Sequence, residues 1–271
     1  TTHMPYRSWC PICVQGKGKE NPHFRKTARN EGDKPVIGVD YMWLGQDDDP
    51  GLPVMVTKDR KSKRITAHMV PSKGRDEYAT RRLAQDIAIT GYKRLILRSD
   101  QEPAVVALNQ SVKEACKGTE DVLEEVPRGD HKSNGVVERA VQDVGEHART
   151  MKDALDKRYG QRFKKDHPVI AWMIRHSADC LTRYRVGEDG KTAYERLKGR
   201  RFNHPIAEFG ECVWFRLPKM KHMNKLEVRW GTGVFLGVRD ESGEVLVGTS
   251  VGVMRTRSIR RKTEDRERWN V

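Results

Sequence analysis

The sequence predicts an α/β fold, a mixed sheet covered by helices, with a small module on each side of it. Within residues 35–200, short apolar segments rich in β-branched residues are interspersed with longer segments whose apolar residues recur every three or four positions. Residues 1–34 are polar apart from a short region with cysteine and histidine, which predicts a partial metal module and a linker. Residues 206–262 contain short apolar segments separated by glycines and charged turns, which predicts a small β-barrel.

Three strands and a helix are predicted in the first half of the central region. Residues 36–44, 53–57 and 65–70 are apolar and β-branched, and a basic turn separates the last two segments. A helix is predicted over 76–90, because its apolar residues share one face and Gly91 follows them as a stop.

In the second half of this region, strands and helices alternate. A short apolar strand at 95–97 leads to Asp100, and the segment 103–117 begins with proline and precedes a glycine, as helices often do. Three further elements complete the region: a strand at 122–126, a helix from Ser133 or Asn134 to about Leu155, and a helix at 168–185.

The chain is strongly basic, with 52 Lys and Arg against 38 Asp and Glu and a net charge of +14. A sustained positive field favours a polyanionic partner, and nucleic acid is the commonest. No apolar run is long enough to span a membrane, and there is no signal-peptide pattern. The five cysteines are odd in number and three are isolated, which argues for a reducing compartment. We therefore expect a soluble, non-secreted protein that binds nucleic acid.

Three acidic residues in the central region are candidates for a metal site. Asp40 lies within an apolar strand, where an ionised carboxylate is costly unless it is paired or binds a cation. Asp100 follows another short strand, and Glu138 lies in the first turn of the long helix. Three converging carboxylates suit Mg²⁺ or Mn²⁺, and two such ions can promote phosphoryl transfer. A lone Asp or Glu is usually only a solvated surface residue, so the argument depends on all three.

These residues give the chain a resemblance to the integrases of copia-type long-terminal-repeat retrotransposons. Asp40, Asp100 and Glu138 match the Asp-Asp-Glu triad of that family one by one, and 37 residues separate the last two. The most specific match is Ser-Asn-Gly-Val-Val-Glu-Arg-Ala at 133–140, and the segment 192–199 is similar to the Thr-Pro-Tyr-Glu segment that follows the family's core. The resemblance covers essentially the whole chain.

The resemblance implies a ribonuclease-H-like core that trims cDNA 3′ ends and joins them to target DNA with two Mg²⁺ or Mn²⁺ ions. It also implies a homo-oligomer located in the nucleus or in a cytoplasmic retroelement particle. His131, Lys132, Arg139 and Gln142 flank the predicted acid and are candidate DNA contacts. One departure is that Gln101 and Glu102 stand where the family often has Asn and Gly, which puts full activity in doubt. A DNA transposase, another nuclease on the same fold and a non-catalytic DNA-binding remnant stay open as alternatives.

The family carries a His-His-Cys-Cys zinc module at its amino-terminal end. His3, Cys10 and Cys13 match the last three of those ligands, so the first histidine is expected upstream of residue 1. Because structural zinc takes four ligands, the site in this sequence is incomplete.

The resemblance identifies residues 206–262 as the small SH3-like barrel that ends retroelement integrases, followed by a charged tail at 263–271. We expect the aromatic residues Trp214, Phe215, Trp230 and Phe235 to form the core of the barrel, with stacking on nucleic-acid bases as the alternative. We expect a basic cluster to contact DNA phosphates without reading sequence: Arg255, Arg257, Arg260, Arg261 and Lys262. A merely solvated charged tail is the alternative for this cluster.

Overall fold

A computed structural model describes residues 34–45, 51–100, 102–116, 120–125, 135–204, 207–218 and 226–270, together with Trp9, Pro11 and Gln15. The predicted zinc ligands His3, Cys10 and Cys13 and the predicted DNA contacts His131 and Lys132 lie outside these residues. The chain divides into two compact units, 1–33 and 34–271, and the strands and helices given next all belong to the second unit.

The first sheet is mixed, as the sequence predicts. Its strands are β1 (Val36–Leu44), β2 (Leu52–Asp59), β3 (Ile65–Met69), β4 (Arg94–Ser99) and β5 (Glu120–Glu125). The spatial order is β3-β2-β1-β4-β5, in which β1 to β3 pair antiparallel while β4 pairs parallel with both β1 and β5. The parallel pairs require crossover connections, and helices supply them.

Five helices follow or connect these strands: α1 (Glu77–Thr90), α2 (Pro103–Ala115), α3 (Gly135–Tyr159), α4 (Pro168–Tyr184) and α5 (Ala193–Lys198). Helices α1 and α2 cover one face of the sheet through apolar residues that include Leu83 and Leu108. Helices α3 and α4 cover the other face, where Val144 and Ile174 pack on β2 and β3. Helix α3 extends four residues beyond the predicted Leu155, because its last turn packs on a part of the chain distant in sequence.

A second sheet follows the helices. Its strands are β6 (Cys212–Arg216), β7 (Trp230–Val238), β8 (Val245–Thr249), β9 (Gly252–Thr256) and β10 (Ile259–Arg261). All pair antiparallel in the order β10-β6-β7-β8-β9. The inner face of this sheet holds an apolar cluster that includes Val213, Phe215, Phe235 and Val247.

The aromatic core predicted for this region is half correct. Phe215 and Phe235 are buried in it, but Trp214 is 41% exposed and Trp230 is only partly buried. Side chains alternate between the two faces of a strand, so Trp214 lies on the face opposite to Phe215. The assignment of both tryptophans to the core is therefore wrong.

The second sheet packs on the helices of the first. Leu236 and Leu246 on its outer face share one apolar cluster with Ile174 and Ala178 of α4. At Gly237 a side chain would not fit, because its φ is +123° and an added Cβ would lie 2.9 Å from Nδ1 of His176 in α4. The second sheet thus completes a core that it shares with α4.

The end of the chain is also packed rather than a free charged tail. Residues Asp265–Arg268 form the short helix α6, and the ring of Trp269 meets that of Tyr159 edge-on at a centroid distance of 5.8 Å. The Tyr159 hydroxyl donates to the carbonyl oxygen of Gly210 over 2.7 Å. These contacts account for the extra turn at the end of α3.

None of the helices in the described part of the chain has the length and apolar character of a membrane span.

Candidate active site

The pairing of β1 with β4 sets the positions of two of the predicted acids. Gly38 of β1 is the Cα partner of Arg98 of β4 in the parallel pair. Asp40 and Asp100 each lie two residues beyond that pair. If the strands continue in the same register, the two residues are neighbours. Neither residue needs a special loop for this, because the pairing of β1 with β4 sets their positions.

Helix α3 brings the third acid to the same place. A Cβ added at Gly38 would lie 3.0 Å from Cβ of Val137, so the first turn of α3 contacts β1 there directly. Glu138 follows Val137, and Asp40 lies on the same face of β1 as Gly38 because the two are separated by one residue. The glycine at position 38 thus permits the close approach of the first turn of α3 to β1.

The three carboxylates act on one another electrostatically. Burial raises the pKa of Asp40, and the negative charges of Asp100 and Glu138 raise it further. The backbone N–H of Tyr41, which donates to Oδ1 of Asp40 over 2.7 Å, and the ammonium group of Lys73 oppose this rise in pKa. Negative charge therefore accumulates around Asp40, where a bound cation would neutralise it.

Lys73 is a site residue that sequence reasoning missed. Its ammonium group forms an ion pair with Glu102 and lies 5.6 Å from the centroid of the Tyr41 ring. Gly74 next to it donates its backbone N–H to the Tyr41 hydroxyl over 3.3 Å. A single lysine in a polar loop after a strand carries no signal in the sequence, because only the fold brings it to the acids.

A buried amide supports the end of β4. Nδ2 of Asn109 in α2 donates to Oγ of Ser99 over 3.0 Å, and that hydroxyl donates to the carbonyl oxygen of Asp100 over 3.1 Å. Ser99 and Asn109 are both almost fully buried. These two bonds fix the backbone that presents Asp100, and sequence reasoning missed both residues.

The donor chemistry of the site fits a hard divalent cation. Three carboxylates supply the oxygen ligands that Mg²⁺ and Mn²⁺ prefer, and the accumulated negative charge favours their binding. In the described part of the chain, no three His, Cys, Asp or Glu side chains are clustered tightly enough to hold a metal ion.

The predicted DNA contacts on α3 lie beside Glu138. Arg139 is exposed and pairs with Asp143 over 3.2 Å, and it also donates to Gln142.

Further along the same helix, an apolar groove of about 400 Å³ lies between β1, α3 and α4. Its lining includes Met42, Gln142 and the basic residues Arg149, Lys152 and Lys165. The groove thus has basic side chains in its lining, and its lining residue Met42 is two positions after Asp40 in β1.

The predicted phosphate contacts of the second sheet differ in their surroundings. Arg255, Arg257 and Arg260 are exposed, and Lys262 is partly buried with its ammonium group over the ring of Trp214. Arg261 instead donates from Nε to the carboxylate of Glu211 over 2.8 Å, and Glu211 has no exposed surface. We therefore reassign Arg261 to the support of a buried carboxylate.

The sheet order defines a mixed α/β fold that the chain shares with solved structures. By sequence, the chain matches no protein-family model and no curated protein. By structure, it is similar to a chain of the simian T-cell lymphotropic virus intasome in complex with PP2A regulatory subunit B56 gamma. The TM-score is 0.51 and the identity 16%, over 94% of this chain and 88% of that chain.

Two further solved structures align with the central region. The catalytic core domain of BIV integrase has a TM-score of 0.40 and 20% identity, over 60% of this chain and 92% of that chain. The catalytic core domain of HTLV-2 integrase in complex with magnesium, in a trimeric form, has a TM-score of 0.43 and 17% identity, over 62% of this chain and 99% of that chain.

The contact between Gly38 and α3 gives a testable prediction. We expect Gly38→Ala to lower the free energy of unfolding by about 1–3 kcal/mol, since the added methyl group overpacks the contact with Val137. Gly145→Ala is the matched control, because its Cβ would meet Nη1 of Arg149 at 3.6 Å and Sδ of Met42 at 3.9 Å, which are ordinary van der Waals distances. Alanine in mid-helix should there stabilise the protein by up to about 1 kcal/mol. Urea unfolding measures both, and equal stability of the two variants would contradict the close approach.

Proposed function

We propose that this protein is a retrotransposon integrase that trims the 3′ ends of cDNA and joins them to target DNA. The observation that supports the proposal is that the charges of Asp100 and Glu138, each supplied by a different element, act on the partly buried carboxylate of Asp40. The similarity of the fold to a chain of a viral intasome supports the same class of function. The copia-type assignment depends on the motifs at 133–140 and 192–199.

In the proposed reaction, Asp40 and Asp100 would hold two Mg²⁺ or Mn²⁺ ions, and Glu138 would complete the second ion site. When bound, the ions supply activation of the attacking oxygen and stabilisation of the leaving oxygen. Asn109 and Ser99 hold the backbone of Asp100 in place. Lys73 balances part of the negative charge next to Asp40. No side chain needs to form a covalent intermediate with DNA.

DNA is the proposed partner, in the form of element cDNA ends and a target duplex. The net charge of +14 supports this, as do the basic residues in the groove beside α3. The same proposal includes zinc ligation by His3, Cys10 and Cys13. It also includes homo-oligomer formation and location in the nucleus or a cytoplasmic particle.

A product assay separates this function from its rivals. A labelled blunt DNA end is incubated with a supercoiled plasmid and Mg²⁺ or Mn²⁺, and covalent transfer of the label is measured together with cleavage. We expect both trimming and joining. Cleavage without joining would favour a nuclease. A parallel reaction carries the same end inside a longer duplex, and joining only after excision from that duplex would favour a DNA transposase. Duplex binding with neither reaction would favour a non-catalytic remnant.

The exposed part of the basic cluster gives a second prediction. We expect replacement of Arg255, Arg257, Arg260 and Lys262 with Gln to weaken duplex binding to a similar degree for all sequences. The slope of log affinity against log salt should become less steep by up to about 3.6, which is 0.9 for each phosphate that is no longer neutralised. Arg261 is left intact because it supports Glu211. An unchanged slope would show that the cluster is only a solvated charged surface.

A further inference from the structure

The outer face of the second sheet, which is the face opposite to Phe215 and Phe235, is divided into two halves. One half is covered by the helices, and Leu236 and Leu246 lie there in the apolar cluster shared with α4. The other half carries Trp214, Arg216 and Arg260 at exposed positions. The apolar cluster on the inner face does not include these side chains, so packing of the sheet does not explain why they are present on this face.

Strand register shows that the residues of the exposed half lie together. Trp214 is the direct cross-strand partner of Arg260 on one side and of Thr232 on the other, and Arg216 is the partner of Trp230. Directly paired residues project from the same face of a sheet. The ammonium group of Lys262 lies 5.3 Å from the centroid of the Trp214 ring. We name Trp214, Arg216, Trp230, Arg260 and Lys262 the tryptophan–cation patch.

The contact between Lys262 and Trp214 does not by itself explain the patch. A cation over an exposed ring is a weak interaction, and a single such pair needs one aromatic residue and one cation. Here two tryptophans and three cations share one face. Flat aromatic surfaces with positive charge around them are the combination that binds unpaired nucleotides, through base stacking and phosphate contacts.

We propose that the tryptophan–cation patch binds an unpaired DNA strand, with a base stacked on Trp214 and the adjacent phosphates near Arg260 and Lys262. In a duplex the faces of the bases are already covered by their neighbours, so an exposed indole ring selects unpaired bases. The inference rests on the proposed function for the source of that strand. Trimming of a 3′ end leaves the complementary 5′ end unpaired.

Fluorescence anisotropy with the full chain tests this assignment. The probes are a labelled oligothymidylate, a blunt duplex of the same length and an oligouridylate. We expect Trp214→Ala to weaken binding of the oligothymidylate by about tenfold and binding of the duplex by less than about twofold, because stacking on one base is removed. Trp214→Phe, which keeps an aromatic face, should retain most of the affinity.

Tyr78→Ala is the matched control, since Tyr78 is 39% exposed and has Arg81 5.9 Å from its ring but lies on α1. We expect it to leave both affinities unchanged. The thermal midpoint of each variant shows whether the sheet is still folded. Photo-crosslinking of an oligothymidylate that carries one 5-iodouracil should label the peptide with Trp214.

Three results would overturn the proposal. Equal loss of single-strand and duplex affinity in Trp214→Ala would point to phosphate contacts alone, and no loss would leave the patch without a role in base binding. A tenfold preference of the wild-type chain for the oligouridylate would exclude DNA as the intended strand. Because no metal or joining reaction is involved, these results are independent of the outcome of the strand-transfer assay.

Discussion

Asp100→Asn is expected to lower strand transfer by about a thousandfold or more, while the Kd for duplex DNA changes by less than about twofold. The reason is that loss of one charged ligand disables metal binding, and the ions contribute several kcal/mol to stabilisation of the transition state. Affinity for duplex DNA comes instead from the excess of Lys and Arg. The measurement is strand transfer in Mg²⁺ beside filter binding of the same DNA.

Asp153→Asn is the control for this experiment. It removes the same charge from an exposed position on α3, where the Asp153 carboxylate forms an ion pair with Lys157. We expect it to keep full activity. If Asp100→Asn lost duplex binding and strand transfer to the same degree, the substitution would have damaged the fold and the catalytic assignment would lose its support.

The second large effect is expected at the contact between the two sheets. Asp240, which follows β7, forms ion pairs with Arg64 at the start of β3 and with Arg183 of α4, and the side chains of both arginines are at most 5% exposed. Arg183 also donates to the carbonyl oxygen of Val238 over 2.8 Å. Burial acts to raise the pKa of Asp240, but the two guanidinium groups outweigh it and lower that pKa.

We expect Asp240→Asn to lower the free energy of unfolding by about 3–5 kcal/mol, because it leaves two buried guanidinium groups short of negative charge. A carboxyl whose pKa is lowered by folding stabilises the protein above its unfolded pKa, and that stabilisation is lost as the pH falls. The difference between wild type and variant should thus be full at pH 7 and shrink below about pH 4. Urea unfolding at both pH values measures it.

Asp179→Asn is the matched control in the same cluster. Burial raises the pKa of Asp179, and its carboxylate is 3.8 Å from Arg183, a longer contact than that of Asp240. Because its charged form is already disfavoured, we expect a loss of about 1 kcal/mol or less at pH 7. A larger loss for Asp179→Asn than for Asp240→Asn would show that Asp240 does not hold the two sheets together.

The first sheet could be predicted from the sequence because its signals are local. Apolar β-branched runs marked β1 to β4, and Asp76 and Gly91 bound α1 as cap residues in the structure. The segment 192–199, found through family resemblance, has a local physical basis as well. Thr192 and Glu195 cap the start of α5 reciprocally, and Gly199 ends it at a φ of +69°.

What could not be predicted depends on contacts between distant parts of the chain. The positions of Lys73 and Asn109 beside the acids follow from sheet order, which periodicity does not encode. Trp214 was assigned to the core because tryptophan is usually buried, but its strand register places it on the uncovered half of a face. The docking of Trp269 on Tyr159 likewise has no local signal.

The central claim is that Asp40, Asp100 and Glu138 form one metal site. Anomalous diffraction from a crystal soaked in Mn²⁺ tests it most directly. We predict manganese between the carboxylates of Asp40 and Asp100, with the three carboxylates roughly 4–8 Å apart and Glu138 turned towards the ions. Manganese bound elsewhere with none between the two aspartates, or Glu138 turned away on the far side of the sheet, would contradict the account.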